Sequence, residues 1–153
     1  MAGSRGRTSE RHREPGLLIR AAVLTLAIRG GLALLPFRTV LRAVERRTER
    51  ATRRAARRTS PRWRAEEIVR AVERVTRRLV RRNPCLPQAL VGIILLRRAG
   101  VPASLRIGVA KDDAPSSLRA HAWVESDGRI LIGDEVPLSD YTPLPPFGAA
   151  GRR

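Results

Sequence analysis

The stretch that decides the fold runs from Asn83 to Pro102 and reads NPCLPQALVGIILLRRAGVP. From Leu90 to Leu96 it is apolar on almost every side of a helix, which predicts a helix buried at the centre of the domain. Pro87 is tolerated in the first turn, where its missing N–H would have had no partner. Gly100 is a natural C-cap. The core is therefore expected to be a buried helix that begins at Cys85.

Downstream of this helix the apolar period changes from 3.6 to 2, which predicts strands. Leu105, Ile107 and Val109 alternate with Arg106 and Gly108 in the first of them. A second strand is predicted over residues 119–126 and a third over residues 129–133. Asp127-Gly128 between them is a strong signal for a two-residue hairpin turn. These strands predict a small antiparallel sheet.

Upstream of the buried helix the pattern is helical. Leu17–Ile28 reads as a helix, Gly30-Gly31 is expected to break or kink the chain, and Leu32–Leu41 resumes it, with Pro36 as a second weak point. Residues 42–58 are rich in Arg and Ala, which favour helix but offer little to bury. A further amphipathic helix is expected from Pro61, capped by Ser60, to about Asn83-Pro84.

The predicted fold class is therefore α+β: N-terminal helices, a buried helix opened by Cys85, then a small antiparallel sheet. Four regions follow from the composition. They are a disordered basic tail (1–15), an N-terminal helical region (16–60), the core domain (61–146) and a flexible C-terminal tail (147–153).

The net charge of +17 comes almost entirely from arginine, since Lys111 is the only lysine. Such charge invites a nucleic-acid interpretation. Aromatic residues are only 3% of the chain, however, and do not provide the stacking platform of single-strand binders. A GC-rich genome, which enriches Arg and Ala together, accounts for the same composition. Nucleic acid is therefore disfavoured as the main partner.

The cysteine content limits the kinds of site and the compartment. A single cysteine excludes an internal disulfide and a multi-cysteine zinc site, and it fits a reducing, cytoplasmic setting. No cofactor or metal is predicted. The apolar stretch from Gly16 to Phe37 is interrupted by Arg20 and Arg29, which favours an amphipathic or core helix and leaves peripheral membrane contact as a minor alternative.

Cys85 and His121 form the candidate catalytic pair. Cys85 opens a helix, where the partial positive charge and free N–H groups favour a thiolate. His121, the only histidine outside the N-terminal tail, lies on a predicted strand and could serve as its base. The first N–H groups of the helix could bind an oxyanion, with Gln88 and Asn83 as alternative side-chain donors.

The hairpin suggests a third residue. If Asp127-Gly128 forms a two-residue turn, counting outward pairs Ser126 with Arg129, Val124 with Leu131, Ala122 with Gly133 and His121 with Asp134. Directly opposed residues share a face, so Asp134 could orient the imidazole. A slip of one residue would defeat this assignment. Asp127 and Asp140 are then the alternatives, while Glu125 and Glu135 fit less well.

Four motifs together resemble a known family. They are the helix after Cys85, the segment Leu95–Ala103 (LLRRAGVPA), the strand Leu105–Val109 (LRIGV) and His121–Glu125 (HAWVE). They are similar to a transglutaminase-like cysteine-peptidase core, papain-like in its chemistry. More narrowly, they resemble the stand-alone leader peptidase of lasso-peptide biosynthesis, whose end the closing Tyr141–Leu144 also resembles. The resemblance is specific from about Arg82 to Leu144 and loose over the N-terminal helices.

The resemblance implies a thiol protease that removes the leader from a ribosomally made lasso precursor peptide and frees the α-amine of the core peptide. Cys85 would be the nucleophile, His121 the base and Asp134 the orienting acid. It also implies two partners: a separate leader-recognition protein and an asparagine-synthetase-like macrolactam cyclase. The Arg-rich helices are a hypothetical docking surface for them.

Two other functions compete with this one. Another thiol acyl transfer on the same core, such as transamidation or amide hydrolysis, would use the same catalytic residues. A non-catalytic, Arg-rich binding module would need no thiol.

Overall fold

The computed structural model describes residues 7–57, 63–111 and 118–145, with side chains from residue 15 onward. Four helices are followed by strands: α1 (Arg7–Leu34), α2 (Phe37–Ala55), α3 (Ala65–Leu79) and α4 (Cys85–Ala99), then β1 (Ser104–Lys111), β2 (Leu118–Ser126), β3 (Arg129–Ile132) and β4 (Thr142–Pro143). The strands form one antiparallel sheet in the order β3-β2-β1-β4. The predicted α+β class is confirmed.

The helix α4 is the centre of the molecule, as its sequence predicts. It packs against α1, α2 and α3 on one side and against the sheet on the other. Leu90, Ile94, Leu95 and Leu96 are at most 1% exposed. The helix ends at Gly100, whose φ of 86° is the left-handed C-cap expected of that glycine.

The helix α1 differs from its predicted form. It continues through Gly30-Gly31, where a break was expected, and the chain turns only at Leu35-Pro36. Each glycine costs a helix only about 1 kcal/mol, which burial of the inner face of α1 can offset, whereas Pro36 lacks the N–H that a continuing helix needs. The helix also begins at Arg7, so it overlaps the tail predicted as disordered; residues 1–6 lie outside the described residues.

The Arg-rich helix α2 buries more than its composition suggested. Val40, Leu41 and Val44, with the small residues Thr48 and Ala51, form a buried face, and α2 packs against α4. Small residues suffice there because they let two helix backbones approach closely. The arginines occupy the remaining, exposed faces.

The helix α3 ends earlier than predicted. Its last residue is Leu79, before an extended Val80, rather than a residue near Asn83-Pro84. Ser60 and Pro61, the expected cap and first residue of this helix, lie outside the described residues, as does the tail 147–153.

The sheet contains the three predicted strands and a short fourth strand that was not predicted. The Asp127-Gly128 turn is present, and both residues have positive φ, 48° and 75°, as a type I′ turn requires. Beyond the turn, Ser126 pairs with Arg129 and Glu125 with Ile130.

One extra residue in β3 then shifts the pairing. Val124 pairs with Ile132 rather than with Leu131, so Leu131 is a bulge residue. The predicted pairing of Val124 with Leu131 is therefore wrong. The strand β3 ends at Ile132, before the predicted pairings of Ala122 with Gly133 and of His121 with Asp134. Counting outward from the turn holds only for a regular ladder, which the bulge at Leu131 interrupts.

Candidate active site

Cys85 is the first residue of α4 and is half-buried. The chain enters the helix through Asn83, which has a φ of 49°, and Pro84, whose carbonyl oxygen accepts the backbone N–H of Gln88 at 2.9 Å. The N–H groups of Cys85 and Leu86 therefore precede the first intrahelical bond, and Pro87 has none. Two backbone donors beside the thiol suit an oxyanion.

His121 is held on β2 with 7% of its surface exposed. Its Nε2 lies 2.8 Å from the backbone oxygen of Gly133. A carbonyl oxygen can only accept, so Nε2 carries the proton and donates it. In the neutral ring this leaves Nδ1 as the unprotonated, basic nitrogen.

Two aromatic rings fix the imidazole on its other sides. Trp123 is nearly parallel to it, with centroids 6.2 Å apart, and Tyr141 is tilted against it at 5.6 Å. The indole N–H of Trp123 donates to Glu125 at 2.7 Å, and Glu125 also pairs with Arg106 at 3.2 Å. The ring therefore has little freedom to rotate away from Gly133. This packing has a sequence signal that was missed: His121, Trp123 and Glu125 alternate along one face of the strand.

The same alternation defines which side of the sheet His121 occupies. The side chains of Val124 and Ile132 lie close to where a Cβ on Gly92 would be, so both face α4. His121 and Trp123, one residue out of step, lie on the other face. Arg97 Nε, near the end of α4, donates to Ala103 at the start of β1. The beginning of α4 therefore lies at the opposite end of the sheet, where β2 begins.

The segment Gly133–Glu135 connects the two candidate residues. Its first residue accepts the bond from His121, and Gln88, one helical turn after Cys85, donates to Glu135 at 3.4 Å. Gln88 is 5% exposed and also receives a bond from Thr76 at 3.4 Å. Within the described residues no hydrogen bond joins the thiol to the imidazole.

Asp134 lies in this segment with its side chain exposed. The backbone carbonyl of Gly133, not the carboxylate of Asp134, is the partner of Nε2. The alternative acids have other structural roles. Asp127 forms the hairpin turn, and Asp140 lies in the 3-10 turn Leu138–Asp140. Glu125 accepts a hydrogen bond from Trp123 and pairs with Arg106.

A third carboxylate, not identified from the sequence, joins Asp134 and Glu135. Burial raises the pKa of Glu73 on α3 above its ordinary value; Arg77 opposes this rise, while Glu135 and Asp134 add to it. These three acids form a negative cluster beside the first turn of α4, in a chain whose net charge is +17. Among the described residues no group of His, Cys, Asp or Glu side chains could hold a metal ion.

A cavity of about 630 Å³ lies away from this site. It is lined by Thr52, Arg97, Val101 and the hairpin turn, at the C-terminal end of α4. A 15-residue helix is about 22 Å long, so the cavity is separated from Cys85 by the length of α4.

Comparison with known proteins agrees with this fold. The family model of the transglutaminase-like superfamily matches residues 31–145 of this sequence, well over half of the 153-residue chain. That superfamily includes cysteine peptidases and transglutaminases, which share thiol acyl-transfer chemistry. No match was found among curated proteins or among solved structures. With its four helices, its antiparallel sheet and its family match, the chain belongs to the transglutaminase-like superfamily.

Proposed function

We propose that this chain is a cysteine peptidase that removes the leader from a lasso-peptide precursor. Cys85 is the nucleophile, His121 is the base and Asp134 contributes negative charge beside the imidazole. The observation that carries the chemistry is the bond from His121 Nε2 to Gly133, because it makes Nδ1 the nitrogen that can accept a proton. The choice of a lasso leader as substrate rests on the sequence motifs described above.

The reaction proceeds in two steps. His121 Nδ1 takes the proton of the Cys85 thiol, and the thiolate attacks the carbonyl carbon of the last leader residue. The N–H groups of Cys85 and Leu86 stabilise the oxyanion. His121, now protonated, gives its proton to the leaving amine, which frees the α-amine of the core peptide. Water then hydrolyses the leader thioester, releasing the leader carboxylate and restoring the thiol. In this proposal the imidazole stays held by Gly133, and the first turn of α4 moves towards it, at the end of the sheet where β2 begins, when substrate binds.

Three further features belong to the same proposal. The leader is presented by a separate leader-recognition protein. The freed amine is passed to an asparagine-synthetase-like cyclase, which closes the macrolactam. The chain works in the cytoplasm, where a free thiol persists.

Mass spectrometry of the products tests the proposal. The protein is incubated with a lasso precursor and its recognition protein, and free leader and shortened core peptide are expected. Cys85→Ala and His121→Gln should abolish both products, while Asp134→Asn should lower the rate by about tenfold or more. Asp127→Asn, an exposed aspartate of the same hairpin, is the matched control and should leave the rate unchanged.

Two results would contradict the proposal. Cleavage by Cys85→Ala would exclude a thiol nucleophile and favour a binding module. If the leader were transferred to a second amine, with the core peptide as the leaving amine, the product would be a leader–amine adduct rather than free leader carboxylate. That product would identify a transamidase on the same core.

A further inference from the structure

The outward face of α1 is apolar along most of its length. Ile19, Val23 and Leu26 are 63%, 60% and 56% exposed. At 100° per residue they fall within one stripe, opposite the buried Leu17 and Ala21. The stripe is completed by residues without charge: Gly16, Gly30, Ala33 and Leu34. We call this set the outer stripe of α1.

Because of the outer stripe, α1 is apolar on its exposed outer face as well as on its buried inner face. The stretch Pro15–Leu34 is long and apolar enough to cross a membrane by length and composition. An 18-residue window within it has a mean hydropathy of 1.8, yet only 28% of that window is buried. The inner face is part of the protein core, where Leu17, Ala21 and Leu24 pack with residues of α3 and α4. A helix held lengthwise against its own domain in this way suits lying on a bilayer rather than crossing it.

The apolar surface extends over the corner between α1 and α2. Leu34 is 83% exposed, Leu35 51% and Phe37 40%. Exposed arginines follow directly, at Arg38 and Arg42 on α2. Apolar side chains bordered by guanidinium groups are typical of a helix at the headgroup boundary, where the former enter the acyl region and the latter meet phosphates.

The net charge of the molecule favours one binding partner for this surface over another. A second copy would bring another +17 against the first, which opposes self-association through a face bordered by arginines. An anionic bilayer offers acyl chains and phosphates together, and so complements both parts of the surface. A neutral bilayer complements only the apolar part.

We propose that the outer stripe of α1 and the Leu34–Phe37 corner dock this protein on the surface of an anionic lipid bilayer, with α1 lying in the plane of the membrane. The inference does not depend on the proposed peptidase activity. It assigns a role to the apolar side chains that the fold leaves exposed and to the exposed Arg38 and Arg42 of α2.

Vesicle flotation with the full chain tests the proposal. The probes are vesicles of phosphatidylcholine alone and of phosphatidylcholine mixed with phosphatidylglycerol. Wild type should float with the mixed vesicles and at least about fivefold less with the neutral ones. The triple substitution Ile19→Ser, Val23→Ser and Leu26→Ser should lower flotation with the mixed vesicles by about tenfold or more. Arg38→Gln with Arg42→Gln should lower it by on the order of tenfold.

Matched controls separate docking from general loss of apolar surface. Leu118→Ser with Ile130→Ser removes two exposed apolar side chains from the sheet, at 68% and 39% exposure, and should float like wild type. The unfolding midpoint of each variant checks that it is folded, and iodoacetamide labelling of Cys85 reports on the candidate active site separately.

Three outcomes would overturn the proposal. One is equal flotation of the triple variant and wild type, and another is equal flotation with neutral and anionic vesicles. The third is a failure of wild type to float with either, in which case a dimer in solution or capture by a purified protein partner would identify another occupant of the stripe.

Discussion

At the scale of single residues, the tautomer of His121 depends on a hydrogen bond to a backbone carbonyl. Gly133 has a φ of 92°, in the left-handed region, and this conformation turns its carbonyl oxygen toward Nε2. A Cβ on Gly133 would lie 2.9 Å from both the backbone oxygen of Ala122 and the Cβ of Trp123. The position therefore requires glycine for its conformation and for the close approach of β2.

The first prediction concerns this glycine. Gly133→Ala should destabilise the fold by about 1–3 kcal/mol and displace the carbonyl that holds His121. Urea denaturation measures the stability, and the ring resonances of His121 in NMR report its hydrogen bond. Gly128→Ala is the matched control: its φ is 75°, but nothing lies within 4 Å of the added Cβ, so it should cost only about 1–2 kcal/mol and leave His121 unchanged. Equal effects on the His121 resonances would contradict this account.

The second prediction concerns Glu73. Its pKa is raised in the fold, chiefly by burial, so folding favours its neutral form. The stability it contributes is complete below the ordinary pKa of 4.5 and is lost as the pH rises through the raised value. Glu73→Gln remains neutral, so the variant should be more stable than wild type at neutral pH and should lose that advantage near pH 4.

Urea denaturation at several pH values checks this prediction. Glu66→Gln, an exposed acid in the first turn of the same helix, controls for the change in net charge. It should gain no stability at neutral pH, because it removes a negative charge from a helix N-terminus. A pH-independent difference between Glu73→Gln and wild type would refute the assigned cause.

At the scale of elements, α4 packs closely against the sheet at Gly92. A Cβ there would overlap Cδ1 of Ile132 on β3 and lie 4.0 Å from Val124 on β2. The glycine weakens the helix by about 1 kcal/mol relative to alanine, and in return α4 lies close against the strands that carry the candidate site.

The third prediction is a double-mutant cycle at this contact. Gly92→Ala alone should destabilise, since the strain of overpacking, about 1–3 kcal/mol, exceeds the gain in helix propensity. Ile132→Val removes the overlapping Cδ1 at a cost of about 0.5–1.5 kcal/mol. In that background Gly92→Ala should become neutral or stabilising, a coupling that urea denaturation of the four proteins measures. Additive effects would show that the two side chains do not meet.

Several elements could be predicted from the sequence because their signals are local. The start of α4 at Cys85, its C-cap at Gly100 and the Asp127-Gly128 turn each depend on a few neighbouring residues. The bulge at Leu131 has no such signal: it depends on how Val124 and Ile132 both pack against α4. The predicted register beyond the turn, in which Val124 pairs with Leu131, is therefore wrong.

At the scale of the whole molecule, the N-terminal helices are part of the core. Residues of α1 and α2 such as Leu17, Leu24 and Val40 belong to the same buried cluster as α3, α4 and the sheet. Removal of the first 60 residues would expose this core, so surface substitutions are the better test of partner or membrane docking. Most arginines of the described helices lie outside the core, on exposed faces.

The sequence by itself determined that helices precede the sheet, the buried α4, the first three strands, the turn and the pairing of a lone cysteine with a histidine as the candidate chemistry, because period and capping act over a few residues. Only the tertiary structure decided that α1 is continuous, that Leu131 bulges, and that Gly133 rather than Asp134 binds the imidazole. Those features depend on contacts between segments far apart in the chain, where packing of side chains outweighs local preference.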